Sequence, residues 1–284
     1  MLLKKNSMLR LTLVRLRRNH LAMIGLAIVL TLIFVAVFAD YIAPFKYSRQ
    51  HLRETLQAPN AKYLLGTDEF GRDVLSRLIY GARVSLVIQF WAVMISLVIG
   101  TFLGSVSGYF GGRIDEVVMR LMDIMMAFPG ILLALAIVAI LGPSLTNLIV
   151  AIGINSVPGF SRVARGAVIS VKKNDYVTAA RAIGESDLSI LFRYVLPNAI
   201  SPIIVQTTMR MATVLLTAAG LGFLGLGVQP PSPEWGTMLS AARVYLRSAP
   251  HVAVIPGVTI MIVVLGFNFF GDGLQDALNP RLKE

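Results

Sequence analysis

The sequence predicts an all-α polytopic membrane protein with six transmembrane helices, and three observations carry that prediction. Of 284 residues, 56% are hydrophobic and 14% charged, with a mean hydropathy of +0.73, which is more apolar surface than a water-soluble core accounts for. The apolar residues fall in uncharged runs comparable to the ~20 residues that cross a hydrocarbon core. Lys and Arg gather in the short segments between those runs, so the formal net charge of +11 fits membrane topology and argues against nucleic acid as a partner. The chain has no cysteine, which excludes disulfides and thiolate metal sites.

Residues 1–20 form a basic N-terminus with six Lys and Arg. Residues 21–39, all 19 uncharged, are predicted as the first transmembrane helix; the run is longer than the apolar part of a cleaved signal peptide. Residues 40–83 read as an external loop. A helical piece from about Arg72 is expected to lie along the interface, with Arg72, Arg77 and Arg83 reaching headgroups or water.

Residues 84–284 read as a five-helix core. In the second span, 84–112, Gly100, Gly104, Gly108 and Gly112 recur every four residues, a stripe that lets helix backbones approach closely in lipid. It predicts packing against another span or a partner permease. The 38 residues 124–161 exceed one crossing, and "GPSLTN" at 142–147 splits them into spans three and four. Asp115, Glu116, Arg120 and Asp123, just before, read as a solvated helix face, with Glu116 and Arg120 at i, i+4 spacing. Asp123, beside "IMMAFPG", is alternatively part of a gate. A fifth run starts near Asn198 and a sixth covers 248–271. Between them Pro230, Pro231, Pro233 and Trp235 read as a stiff cap at the outer interface.

With the N-terminus inside, inner segments hold 16 Lys and Arg and outer segments nine, so both termini are expected in the cytoplasm. The remaining cation, Arg210, falls about 18 Å into the fifth span if that span starts near Asn198. There it would line a water-filled path or pair at an interface with another membrane subunit. If the span starts instead at Met211, Arg210 sits at its inner end.

The polar segment 162–197 interrupts the apolar pattern on the predicted cytoplasmic side. Ala179, Ala180, Ala182 and Gly184 leave little side chain to hinder another surface. Leu188, Leu191, Phe192 and Val195 follow at i, i+3, i+4, i+7, an amphipathic stripe. "GESD" between the two halves is a turn signal, and Pro197 suits the start of the next helix. From pattern alone the segment is also an interfacial linker folded back on its own bundle.

"AARAIGESDLSILFRYVLP" resembles the cytoplasmic loop motif of permease subunits in binding-protein-dependent ABC importers. The matching positions are Ala179, Ala180, Gly184, Tyr194, Leu196 and Pro197, while the family's usual glutamate is Thr178 here. "LGTDEFGRDVLSRLIYGARVSL", "GFLGLGVQPPSPEWGTML" and "FNFFGDGLQDALNPRL" look like the dipeptide and oligopeptide group, in its C-type subunit.

The resemblance implies a type I ABC importer permease fold in a bacterial or archaeal cytoplasmic membrane. It also implies a second permease subunit, two ABC ATPase subunits that bind ATP and magnesium, an extracytoplasmic substrate-binding protein, and a peptide substrate. Segment 162–197 would be the ATPase-coupling loop. Permeases for nickel or glutathione are alternatives within the family. The chain carries no Gly-x-x-x-x-Gly-Lys-Ser/Thr loop, so it is not expected to be an enzyme or to hold a cofactor itself. His20, His51 and His251 lack metal-ligand spacing. An ATPase-independent secondary transporter or channel is the alternative from another class; the scarcity of intramembrane carboxylates for proton coupling weighs against it.

Overall fold

The computed structural model describes residues 14–278; Lys4, Lys5, Arg10, Arg281 and Lys283, which the topology count used, lie outside the described residues. The described residues form helices and no strands, with one isolated antiparallel bridge between Thr67 and Asp73. The first long helix, α1 (His20–Val37), begins where the Asn19 carboxamide accepts the N–H of Ala22 at 3.1 Å, satisfying a donor the helix itself cannot.

After a single turn of helix at Ala39–Ile42, the second long helix, α2 (Val74–Phe110), is 37 residues long and begins ten residues before the predicted span. Asp73 caps it by accepting the N–H and hydroxyl of Ser76 at 2.8 and 2.6 Å. The expected interfacial piece from Arg72 is therefore the first turns of α2 itself. Arg72 and Arg77 do not reach outward: both are buried, with their guanidinium nitrogens 2.5 and 3.4 Å from Asp68 Oδ2. Desolvating cations is costly, and a shared carboxylate offsets that cost better than a distant headgroup. Arg83 is half-buried and ties α2 to the end of α1, donating to Ala36 O and Asp40 at 3.0 Å.

Helix α3 (Gly112–Met126) and α4 (Gly130–Leu141) are joined through Pro129 and bent by 86°, so the third crossing is broken where one continuous helix was expected. The next break, at Gly142, lies where "GPSLTN" placed it. Gly142 has φ +88°, and Ser144 caps α5 (Leu145–Val171) through the N–H of Asn147 at 3.1 Å.

Among the described residues four helices are long and apolar enough to cross a membrane, and a fifth if the bent pair counts as one. The remaining predicted span is α5. Its 27 residues are long enough, yet they include Asn155, Pro158, Arg162 and Arg165. It packs along α2 and also meets α3, α4 and the fifth-span helix, so protein covers much of a surface that lipid would otherwise require to be apolar.

The glycine stripe explains that packing. A Cβ on Gly100 would come within 2.5 Å of Phe160 Cβ, and one on Gly108 within 2.8 Å of Arg165 O. At Gly104 a Cβ would collide with Ser161 O. Ser161 completes the seam by donating to Gly100 O at 3.1 Å. Gly112 does not belong to the stripe: it has φ +56°, follows the break at Gly111, and has open space where a Cβ would be.

Helix α6 (Asp175–Ala182) lies in the polar segment. The fifth span, residues Asp187–Phe223, ends in the long helix α7 (Ile200–Phe223). The short α8 (Trp235–Ala242) then packs against α2, α7 and the last helix, α9 (His251–Leu278). Trp235 is not an interfacial cap. It is 1% exposed and donates to Leu78 O at 3.1 Å, in a slot that Gly81 leaves open for the indole. Glu234, fully buried, caps α8 by accepting the N–H groups of Gly236 and Thr237 at 2.8 Å.

Candidate functional site

The segment from Asp175 to Asn198 folds as two halves about a sharp bend. Helix α6 ends with Gly184 at φ +85°, the N–H of Glu185 returning to Ala180 O at 3.2 Å and that of Gly184 to Arg181 O at 3.1 Å. A residue with a side chain would be strained there, so the glycine fixes where the chain turns. Ser186 then caps the second half through the N–H of Ser189. This half runs through a wide π turn at Ile190–Val195 and a tight 3₁₀ turn at Leu196–Asn198, and enters α7 without a gap.

The π turn changes which residues face inward. At ordinary helical spacing Leu188, Leu191, Phe192 and Val195 form one stripe. The wider turn instead buries Ile190, Leu191 and Val195, all 0% exposed, against Tyr109, Val168, Val177 and Ala180. Leu188 and Phe192 stay exposed, as do Thr178, Ala179, Ile183, Gly184 and Pro197, while Leu196 is half-buried. Of the residues expected to couple, Ala180, Leu191 and Val195 anchor the segment and the others present its outer face.

Tyr109, 2% exposed near the end of α2, holds the two halves together. Its hydroxyl donates to Asp187 Oδ1 at 2.6 Å and accepts from Arg181 Nη2 at 3.3 Å. Arg181 also lies 3.7 Å from Asp187. Lys172, just after α5, donates to the Tyr109 carbonyl oxygen and rests over its ring at 5.3 Å. One residue of α2 is thereby joined to α6, to the start of the fifth span and to the end of α5.

The carboxylates read as a solvated face do more than that account allowed. Asp115 receives a bidentate fork from Arg165, at 2.6 and 2.5 Å, and Asp123 receives Arg162 at 2.6 Å. Both pairs brace α3 against α5 across residue separations that local spacing does not register.

A second feature lies midway along α7. Arg210 is ten residues past Ile200 on α7, about 15 Å along a helix that is continuous through Met211. Its guanidinium lies against the backbone of Gly159, where a Cβ would clash with Nη2. It borders a cavity of about 310 Å³ between the α3–α4 kink and Pro158 of α5. Among the described residues no group of three or more potential metal ligands occurs.

The chain matches the family model of the binding-protein-dependent transport system inner membrane component over residues 100–284, and that of the N-terminal TM domain of oligopeptide transport permease C over residues 7–59. It is 50% identical to the dipeptide transport system permease protein DppC of Alkalihalophilus pseudofirmus, covering 95% of this chain and 88% of that one. It is 51% identical to the di/tripeptide transport system permease protein DppC of Pseudomonas aeruginosa, covering 93% and 89%. The glutathione transport system permease protein GsiD of Escherichia coli is 47% identical over 95% of this chain and 89% of its own. Among solved structures, the inward-facing MetNI methionine ABC transporter superposes with a TM-score of 0.60 at 20% identity, covering 72% of this chain and 97% of that one. The fold is thus that of a type I ABC importer permease, and the chain belongs to the binding-protein-dependent transport system inner membrane components, permease subunits of transporters whose ATP hydrolysis lies in partner subunits.

Proposed function

We propose that this chain forms one half of the pathway by which an ATP-driven importer brings dipeptides or oligopeptides into the cytoplasm. A second permease forms the other half of a heterodimer, and an extracytoplasmic substrate-binding protein delivers the peptide. Of two ABC ATPase subunits, which bind the ATP and magnesium, one docks on segment 162–197. The assembly spans the cytoplasmic membrane of a bacterium or archaeon with both chain termini inside.

The observation that carries this reading is the two-sided build of the bend. Its inner face is buried on α2 and α5, and its outer face exposes Ile183 at 79%, Leu188 at 59% and Phe192 at 47%, apolar groups at the rim of small residues. An ATPase that grips this face moves a rigid element continuous with α7, which is what coupling between distant sites requires. Peptide as cargo is supported by the di- and tripeptide relatives at about 50% identity. The glutathione permease at 47% favours a second reading in which the cargo is that particular tripeptide.

The test is purification of the tagged chain from its native membrane with its bound subunits, followed by reconstitution in vesicles with the soluble receptor. ATP-dependent uptake of a labelled dipeptide is the expected result. Uptake of glutathione but not dipeptides selects the second reading, and uptake without ATP or copurifying ATPases overturns both.

A further inference from the structure

The geometry points to Arg210 as a binding site for the carboxylate of a transiting peptide; this rests on the peptide-import reading above. Three observations meet at one place. Arg210 lies well inside α7, and among the described residues its guanidinium has no carboxylate within ion-pair distance and its side chain makes no hydrogen bond. An intramembrane cation held in that condition calls for an anion from outside the chain. The cavity it borders has Asn155 as its only other polar side chain, so about 310 Å³ of space contains one cation, one carboxamide and no acid.

The surroundings fit an anionic end group with a variable body. Gly159 has no side chain, which leaves room for the guanidinium against α5, and both residues line the cavity. A guanidinium presents a planar fork that matches a carboxylate, and Asn155 adds both a donor and an acceptor. Met125, Met126 and Phe128 form the apolar wall, and methionine adapts to side chains of different shape. The volume is at the low end for ligand sites, suited to a terminal residue and not to a whole oligopeptide. The same cation could be matched by a fixed carboxylate on the second permease. A concavity walled by this chain's own α3, α4 and α5 favours a mobile anion over one on a packed helix.

The test uses the complete transporter with Arg210→Gln and Arg210→Lys. Uptake of alanyl-alanine in vesicles should fall at least tenfold in the Gln variant and stay within about threefold of the parent in the Lys variant, with the second permease retained in both complexes. Independently of the receptor, phenylglyoxal labelling of Arg210 in the purified parental complex should be slowed by alanyl-alanine and not by its C-terminal amide. Parental uptake in Arg210→Gln overturns the inference, as does equal protection by the amide. Loss of the second permease from the Arg210→Gln complex would instead assign the cation to a subunit interface. A parental transporter that imports no peptide at all refutes the peptide reading itself and takes this inference with it.

Discussion

The hydroxyl of Tyr109, at the end of α2, donates to Asp187 at 2.6 Å while accepting from Arg181 at 3.3 Å, so a residue 78 positions away fixes both sides of the bend. Tyr109→Phe keeps the buried ring and removes only those bonds, at a cost of about 1 kcal/mol in stability. The complex should assemble normally and hydrolyse ATP with receptor present, yet move several-fold less substrate per ATP, because the outer face would shift without drawing α7 with it. Parallel measurement of uptake and phosphate release gives the ratio. A ratio equal to the parent's would show that apolar burial alone holds the segment.

Gly104 and Gly166 separate packing from helix propensity. At Gly104 an added methyl would meet Ser161 O of α5, whereas at Gly166 it would meet nothing within 4 Å. Gly104→Ala should force α2 and α5 apart and destabilise by roughly 1–3 kcal/mol, visible as a lower melting temperature of the purified complex. Gly166→Ala should be neutral or stabilising by up to about 1 kcal/mol, since alanine is the better helix former. Equal effects would mean that the seam yields and that the glycine spacing is incidental.

The glycine spacing was legible in the sequence because a four-residue period is a property of one helix. What it packs against was not: Val157, Ser161 and Arg165 of α5 answer the stripe at the same period, but nothing local links the two. The bend at Gly184 was legible from its turn residues, whereas the inward face beyond it was not, since a single π turn replaces Leu188 and Phe192 by Ile190 in the buried set. The ion pairs Asp115–Arg165 and Asp123–Arg162 were missed for the same reason as the burial of Arg72 and Arg77: charge flanking an apolar run reads as solvated until its partner is in place. Arg210 was the exception, because a lone cation inside an apolar run is conspicuous without any knowledge of its neighbours.

The two tryptophans give a direct reading of which surface meets lipid. Trp91 on α2 is 54% exposed, while Trp235 is 1% exposed behind it. In vesicles of lipids brominated on the acyl chains, fluorescence from Trp91 in a Trp235→Phe variant should be strongly quenched. Fluorescence from Trp235 in a Trp91→Phe variant should be largely protected. Comparable quenching of both would place α8 at the lipid surface, as the sequence had suggested. Trp235→Ala should also destabilise by about 3–5 kcal/mol, through the emptied volume.

The loop between α1 and α2 carries a pH dependence whose sign follows from Glu54. Its carboxylate accepts Lys62 at 2.7 Å and the Tyr63 hydroxyl at 2.5 Å, which together hold its pKa below the ordinary 4.5. A depressed carboxylate stabilises the folded loop fully above the unfolded value and loses that contribution as pH falls through the folded one. Lys62 is solvent-exposed, so the contribution is small and screened by salt. Protease nicking of the loop between residues 50 and 66 should therefore be slow from pH 7 down to about 4.5 and rise only at lower pH. Glu54→Gln should abolish that rise and show faster nicking already at pH 7, and a profile identical to the parent's would mean that Thr67 and Tyr63 packing hold the loop without the carboxylate.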